Sequence, residues 1–290
     1  MTAPIIILGC GFLGSHIARA GLAAGRTVRV LARGTGRMQP LGAAGAEVKF
    51  LDVGVMSKIP QSLGGLHGAM VVYSVPPITT LRPGQAIRAA MQAAYGIGAS
   101  SFIYLSSSGL YGDKPDDDVW IDEDTPLAVD HGMQNVRSDE EELERHGFDT
   151  LRAITLRLAP VYGKGKGIRP RLREGKFKML DEGEHATSRI YIDDFVRVVF
   201  AAEEKAQNKS MYLVADDEPT TQLEYATWLC NRLNLPMPGK RALYEPGKPA
   251  TNHRNRKFRN TRMKTELGIE LLYPTFREGE AAIDTWEATA

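Results

Sequence analysis

The chain has 290 residues, of which 43% are hydrophobic and 24% charged, a composition typical of a globular protein with a substantial core. Lys and Arg number 36 and Asp and Glu 35, so the net charge of +1 creates no overall field that favours nucleic acid or a membrane surface. The longest apolar runs are far shorter than the roughly 20 residues that cross a bilayer.

The amino terminus and the cysteines indicate the compartment. No basic residues precede the first apolar run, and glycines interrupt that run. This is not the pattern of a secretory signal. The two cysteines, Cys10 and Cys230, are far apart, so we expect reduced thiols and neither a disulfide framework nor a metal site. A cytoplasmic protein is therefore expected.

In the first half of the chain, short apolar segments alternate with helical ones. The segments expected to form strands are continuous apolar runs, as in a parallel sheet that helices cover on both faces. The expected strands are Ile5–Leu8, Thr27–Ala32, Glu47–Leu51, Ala69–Val75, Phe102–Leu105, Leu151–Leu158 and Met211–Val214, and the expected helices are Ser15–Ala24, 37–44, Gln85–Tyr95 and Val136–His146. This order predicts an α/β fold, a doubly wound parallel sheet of the Rossmann type.

The composition changes after about residue 162, where the chain becomes rich in glycine and basic residues. We therefore predict two domains. Residues 1–162 and about 188–215 would form the dinucleotide-binding Rossmann domain. Residues of about 163–187 and 216–290 would form a smaller, discontinuous substrate domain.

The basic stretches 164–178 and 253–264 have two interpretations. Either they are solvated surface, or they bind an anionic small-molecule substrate. The acidic runs 116–124 and 139–144 balance their charge, which argues against a nucleic-acid groove.

The segment GCGFLG, residues 9–14, follows the first strand and opens the first helix. At this junction the pattern G-x-G-x-x-G binds a pyrophosphate, which lies at the helix amino terminus. Gly9 would allow the tight turn, Gly11 the approach of phosphates, and Gly14 close packing of helix on strand. A plain structural turn is the alternative, and Cys10 is expected to be a small packing residue.

The end of the second strand distinguishes between cofactors. An acid there binds the ribose of NAD, whereas an arginine accommodates the 2′-phosphate of NADP. The sequence has Arg33 with Arg37 nearby and no acid, which favours NADP over NAD unless Arg33 is merely solvated. Asp52, after the third strand, is expected either to contact the adenine or to cap a turn.

The motif YLSSSGLYGD, residues 104–113, ends the strand that faces the same crevice. Serine hydroxyls at a strand end can hydrogen-bond a carbonyl or an alcohol next to a nicotinamide, and a turn-forming cluster is the alternative. Further motifs follow in order: RSDEEEL (137–143), LRLAPVYGKG (156–165), RIYIDDF (189–195), MYLVADDEPTT (211–221) and NTRMKTELGI (260–269).

Together these motifs resemble the extended short-chain dehydrogenase/reductase family, in particular its NAD-dependent epimerase/dehydratase branch. The resemblance covers nearly the whole chain and implies an oxidoreductase or epimerase/dehydratase that acts on a sugar nucleotide or another carbonyl or hydroxyl compound. Dimers through a helix pair are common in similar proteins. The shorter G-x-G-x-x-G loop is that of an atypical subgroup.

The resemblance also locates the catalytic positions. Ser107 matches the active-site Ser/Thr, but Met133 and Arg137 stand where the family has the tyrosine and the lysine of Tyr-x-x-x-Lys. Methionine cannot transfer a proton, and arginine does not reproduce lysine. Gly109 replaces a further side chain that is often polar in catalytic members. Among groups that could replace the tyrosine, the notable ones are His131, Tyr111, Tyr162 and Tyr191.

The site predicted from the motifs has three parts. The catalytic positions are Ser107, Met133 and Arg137. The cofactor-binding residues are Gly9, Gly11, Phe12, Leu13, Gly14, Arg33, Asp52, Val75, Ser106 and Arg137, and the substrate-binding residues are Ser108, Tyr111 and Arg189. The two competing hypotheses are an enzyme with a divergent active site and a non-catalytic dinucleotide-binding sensor or regulatory protein.

Overall fold

The computed structural model describes residues 2–112, 119–242 and 255–289. The first half of the chain contains β1 (Ile5–Leu8), α1 (Phe12–Ala23), β2 (Val28–Ala32), α2 (Gln39–Ala43), β3 (Glu47–Phe50), α3 (Ile59–Leu63), β4 (Met70–Tyr73), α4 (Gln85–Gly96), β5 (Ser101–Ser107), β6 (Trp120–Ile121), α5 (Gln134–Arg145) and β7 (Arg152–Leu158).

The second half contains more numerous short strands. Its elements are β8 (Val161–Tyr162), α6 (Ile168–Arg173), β9 (Met179–Leu180), β10 (Ala186–Thr187), β11 (Ile190–Tyr191), α7 (Ile192–Lys205), β12 (Met211–Val214), β13 (Thr220–Thr221), α8 (Gln222–Leu233), β14 (Lys240–Arg241), β15 (Lys257–Phe258), α9 (Thr261–Leu267) and α10 (Phe276–Thr289).

The central sheet has seven strands in the order β12-β7-β5-β4-β1-β2-β3, and every neighbouring pair is parallel. The chain builds outward from β1 to β3 and then crosses to β4 on the other side of β1. The predicted Rossmann-type parallel sheet is confirmed. The strand order reverses between β1 and β4, and such switch points are where sheets of this kind bind their ligands.

Helices cover both faces of the sheet because alternate residues of each strand point to opposite sides. Ile5 and Ile7 pack with Ile17 of α1 and Val198 of α7 in one apolar cluster. Ile6 and Leu8 belong to a second cluster with residues of α3, α4 and α5. Both faces of β1 are therefore buried, which explains its continuous apolar sequence.

The segments after residue 162 join the first of these clusters. Leu172, Phe177, Tyr225 and Phe276 are buried in the same apolar core as α1 and α7. The remaining strands form four two-stranded sheets, β10-β13, β11-β8, β14-β9 and β15-β6. The division into two domains stays a prediction. Parts of the acidic run 116–124 and of the basic stretch 253–264 lie outside the described residues.

Helices α4 and α5 lie within two residues of the expected bounds, whereas two other helices differ more. Helix α1 begins at Phe12 rather than Ser15, because Gly11 occupies the N-cap position directly after the glycine turn. The helix expected at 37–44 is a 3₁₀ turn, Gly36–Met38, followed by the short α2, whose first turn contains Pro40. Within the described ranges, no helix has both the length and the apolar character needed to span a membrane.

Candidate active site

The glycine loop after β1 packs against the end of the neighbouring strand β4. Gly9 has a φ of +89°, and a Cβ on it would lie 2.6 Å from the carbonyl oxygen of Ser74. A Cβ on Gly14 would lie 2.9 Å from the carbonyl oxygen of Gly9 and from Cγ2 of Ile7. The loop therefore has the tight turn and the close helix-on-strand packing expected of it.

Gly11 differs from these two glycines because a Cβ there would meet no atom within 4 Å. It precedes α1, whose first N–H groups receive no side-chain cap. Open space in front of uncapped N–H groups at a helix amino terminus suits a phosphate. The loop thus fits the pyrophosphate of a dinucleotide, and Phe12 and Leu13 continue from it into the wall of the adjoining cavity.

This cavity has a volume of about 540 Å³ and lies between the glycine loop and the carboxyl end of β5. Ser106, Ser107 and Ser108 line it. The Oγ of Ser107 accepts a hydrogen bond of 3.0 Å from the backbone N–H of Gly109. Its own O–H has no acceptor among the described residues and can donate to a ligand. The Oγ of Ser106 instead donates to buried Glu140 at 2.6 Å.

Met133 lies in the same cavity, at the N-cap of α5. A Cβ on Gly109 would lie 2.8 Å from its sulfur and 3.0 Å from the Oγ of Ser107. A side chain at 109 would therefore require Met133 to move. Gly109 and Met133 thus form one packing arrangement, in which a thioether closes the wall beside the serine. Their correspondence to catalytic positions of the family stays a prediction.

Arg137 does not line this cavity, although it lies on the same helix as Met133. Its guanidinium forms two hydrogen bonds with Glu144, of 2.6 and 2.9 Å, and lies 3.4 Å from Glu140. Carboxylates of α5 thus hold the guanidinium along the helix. Its interaction with a nicotinamide ribose stays a prediction.

Tyr111 is fully buried and also does not line the cavity. Its hydroxyl accepts a hydrogen bond of 2.7 Å from Arg157, whose guanidinium also binds both carboxylate oxygens of Glu140. Burial raises the pKa of Tyr111 to about 12, against the lowering effect of Arg157. The hydroxyl therefore keeps its proton at neutral pH. Its hydrogen bond with Arg157 links the segment after β5 to β7.

Three further residues predicted to bind the cofactor follow strands of the central sheet, and their contacts with a cofactor stay predictions. Arg33 is exposed directly after β2, beside exposed Arg37. Asp52 follows β3 and accepts a hydrogen bond of 2.9 Å from the backbone N–H of Gly54, so it caps its own turn. Val75 follows β4, and its backbone nitrogen would lie 2.9 Å from a Cβ on Gly9.

A second cavity of about 230 Å³ adjoins the first, and Pro160, Val161 and Thr187 line both. Arg189 lines the second cavity, is 6% exposed and donates to the carbonyl oxygen of Thr220 at 3.2 Å. Its guanidinium stacks on the ring of Tyr225 at 4.4 Å, and its Nη1 has no hydrogen-bond partner within the described ranges.

The charge of the second cavity has one sign. Its described lining contains the cations Arg171, Lys178, Arg189 and Arg241 and no carboxylate. Guanidinium and ammonium groups that line a cavity without a compensating carboxylate can bind a carboxylate or a phosphate. Arg189 thus lies in a cationic lining, and its binding of a substrate stays a prediction.

The side chains considered as substitutes for the tyrosine do not lie in the first cavity. Tyr162 lines the second cavity, Tyr191 is buried against Tyr162 and Tyr273, and His131 is exposed and belongs to neither lining. Sequence reasoning missed Lys166, which lines the first cavity but stood out only as part of a basic stretch. The signal available was its place in the loop directly after the motif VYG.

Comparisons with known proteins agree with this geometry. The model of the NAD-dependent epimerase/dehydratase family matches residues 5–215. The chain belongs to this family. The matched part of this epimerase/dehydratase family member contains the glycine loop, the serine motif and the whole central sheet.

Three similar proteins come from different bacteria. A 3-diazoavenalumate denitrifying reductase from a Streptomyces species is 28% identical over 207 residues, 65% of this chain and 66% of that protein, just under two thirds of its length. A conserved protein of unknown function from Silicibacter pomeroyi is 26% identical, with a TM-score of 0.81 and coverage of 98% of this chain and 99% of that one. A UDP-glucose 4-epimerase from Thermotoga maritima, solved with UDP-glucose, has a TM-score of 0.81 at 20% identity and covers 99% of both chains, which shows the shared fold.

Proposed function

We propose that the protein is a nicotinamide-dependent oxidoreductase that transfers hydride between NADP and a carbonyl or hydroxyl carbon of an anionic small molecule. The observation that carries this proposal is the cavity that brings Ser107 together with the glycine loop. The free O–H of Ser107 would donate to the substrate oxygen, and the bound nicotinamide would supply or accept the hydride.

The preference for NADP rests on charge at the end of β2. Arg33 and Arg37 are exposed there, and the stretch from 32 to 38 contains no acid that would repel a 2′-phosphate. The open space before Gly11 and the uncapped amino terminus of α1 would hold the pyrophosphate, which NAD and NADP share.

The anionic character of the substrate rests on the second cavity. An anionic group at Arg189 and a reacting carbon at Ser107 would belong to one ligand, because the two cavities share three lining residues. Sugar nucleotides, such as the UDP-glucose bound in the Thermotoga epimerase, and smaller carboxylates, such as the substrate named for the Streptomyces reductase, both meet this requirement.

A second candidate function is a non-catalytic dinucleotide-binding sensor or regulatory protein. The observation that favours it is Met133, which closes the cavity wall and which the resemblance aligns with the family's proton-shuttling tyrosine. A sensor needs the glycine loop but not a proton donor.

Binding and turnover separate the two candidates. NADPH and NADH are titrated by fluorescence, and hydride transfer is then measured with UDP-glucose, 4-carboxybenzaldehyde and 4-methylbenzaldehyde. Ser107→Ala is expected to lower kcat/KM for every substrate that wild type turns over. Arg189→Met is expected to raise KM for the anionic aldehyde and leave the neutral aldehyde unchanged. Tight cofactor binding without turnover would support the sensor, and failure to bind either dinucleotide would contradict both functions.

A further inference from the structure

Reduction of a carbonyl group adds a hydride to carbon and a proton to oxygen, so the cavity needs a proton donor. The side chains that usually serve are those of His, Asp, Glu, Lys, Tyr and Cys. Among the described residues that line the cavity, Lys166 is the one member of this set. The other polar lining residues are Ser74, Ser106, Ser107, Ser108, Thr187 and Arg256.

The charged alternative to Lys166 in this lining is Arg256. Its Nε donates to the carbonyl oxygen of Gly112 at 2.7 Å, and the side chain is 9% exposed. A guanidinium does not release its proton in proteins, whereas an ammonium can. Arg256 therefore contributes charge and structure but no proton.

The backbone around Lys166 is well defined. The N–H of Gly163 donates to the carbonyl oxygen of Lys166 at 3.2 Å, and the N–H of Lys166 donates to the carbonyl oxygen of Gly163 at 3.0 Å. Gly165 and Gly167 adopt φ values of +72° and +109°, which close this tight turn. Beneath it, a Cβ on Gly163 would lie 3.6 Å from the ring of Phe12, so the turn packs beside the start of α1.

The side chain of Lys166 is exposed and available. Among the described residues, nothing forms an ion pair or a side-chain hydrogen bond with its ammonium group. The neighbouring Lys164 is different, because its Nζ lies 4.3 Å from the centre of the Trp286 ring and interacts with that ring. Two lysines of one loop therefore have different surroundings, and Lys166 is the one that lines the cavity.

We propose that Lys166 is the proton donor of this active site, acting on the substrate oxygen that Ser107 holds. This inference rests on the proposed function. Lys166 would take the role of the family's tyrosine, whose position the resemblance assigns to Met133. In the reducing direction the carbonyl carbon gains a hydride from the reduced nicotinamide, and the electron pair of the C=O π bond moves to oxygen. That oxygen forms an O–H bond as an N–H bond of the Lys166 ammonium breaks. The neutral amine regains a proton from water, to which Lys166 is exposed.

The first test locates Lys166 relative to the cofactor without any turnover. Wild-type protein is trace-labelled with an acetylating reagent, and the labelling of each lysine is measured by mass spectrometry with and without saturating NADP. NADP is expected to protect Lys166 several-fold and to leave Lys176, an exposed lysine paired with Glu174, unchanged. Equal labelling of Lys166 with and without NADP would overturn the proposal.

The second test separates proton transfer from hydride transfer. 4-Carboxybenzaldehyde needs a proton as well as a hydride, whereas the 10-methylacridinium cation accepts a hydride and becomes neutral without one. Lys166→Gln is expected to slow aldehyde reduction by about 100-fold, within the usual range for a general acid, and to change acridinium reduction by less than about twofold. Lys164→Gln is the matched control and is expected to change neither rate.

Lys166→Arg distinguishes the loss of a proton donor from the loss of a positive charge. Arginine keeps the positive charge but not a proton that it can release, so it is expected to be as slow as Lys166→Gln on the aldehyde. Recovery of the wild-type rate by Lys166→Arg, or equal loss with both probes, would overturn the role as proton donor. Wild-type protein that binds NADPH but reduces neither probe would contradict the proposed function itself and with it this role.

Discussion

The guanidinium of Arg157 binds the carboxylate of Glu140 through two hydrogen bonds, of 2.9 and 2.7 Å, in the interior of the protein. Arg157 comes from β7 and Glu140 from α5, and both are at least nine-tenths buried. Ser106 donates to the same carboxylate, and Tyr111 accepts from the same guanidinium. This pair therefore joins the helix that carries Met133 to the strand end that carries the serines.

Arg157→Met is expected to lower the free energy of unfolding by about 3–5 kcal/mol, because it leaves a buried carboxylate without its cation. The double variant Arg157→Met/Glu140→Leu is expected to recover part of this loss. Urea unfolding of both single variants and the double variant measures the coupling. The control is Arg88→Met, which removes the ion-pair partner of Glu142. The side chain of Arg88 is 60% exposed, so this pair is not enclosed in the interior. Equal effects of Arg88→Met and Arg157→Met would contradict a special role of the buried pair.

The glycine loop offers a pair of substitutions with opposite expected effects. Gly14→Ala places a Cβ 2.9 Å from Ile7 and is expected to cost about 1–3 kcal/mol of stability. Gly11→Ala meets no protein atom, so its stability should remain close to wild type. The added methyl group would occupy the predicted phosphate position and should weaken NADPH binding by roughly tenfold or more, equivalent to about 1.4 kcal/mol. Thermal unfolding and fluorescence titration measure the two effects, and unchanged binding by Gly11→Ala would place the pyrophosphate elsewhere.

The cofactor preference can be tested at Arg33. Arg33→Asp replaces an attraction to the 2′-phosphate by a repulsion, so NADPH binding should weaken by about tenfold or more, the effect of losing a charged hydrogen bond. NADH binding should change much less. Arg145→Asp, which makes the same change of charge at an exposed residue of α5, is the control. An equal loss of affinity for both cofactors would contradict the preference for NADP.

Stability should depend on the ionisation of Asp139, a buried residue of α5 whose carboxylate accepts a hydrogen bond of 3.3 Å from Tyr104. Burial raises the pKa of Asp139 to about 7, opposed by that hydrogen bond and reinforced by the charges of Glu142 and Glu140. The folded state therefore holds a proton that the unfolded state releases near pH 4. The stabilisation from this proton is complete below pH 4 and is lost as the pH rises to about 7.

Asp139→Asn removes this dependence, because an amide does not ionise in the range. Its free energy of unfolding relative to wild type is expected to rise between pH 5 and pH 8, by an amount on the order of 1–3 kcal/mol. Urea unfolding at the two pH values measures this change, with Asp149→Asn at an exposed position as the control. A constant difference between Asp139→Asn and wild type would show that Asp139 is ionised throughout.

Much of the fold could be predicted from local sequence. Strands β1 and β4 are buried on both faces, and this burial leaves a continuous apolar run in the sequence. The glycine loop is equally local, since its turn and its helix start involve neighbouring residues. The short strands after residue 160 were harder to predict, because two-residue pairings leave no periodic pattern.

The sequence by itself determined the Rossmann-type sheet, the glycine loop and the position of Ser107, because these depend on residues adjacent in the chain. Tertiary structure alone decided which side chains meet at that serine. Arg137 shares a helix with Met133, yet the carboxylate of Glu144 holds its guanidinium away from the cavity. Lys166 enters the same cavity from a loop 59 residues beyond Ser107, brought there by the packing of Gly163 near Phe12. Side-chain direction and contacts between distant segments depend on three-dimensional packing, which local sequence does not encode.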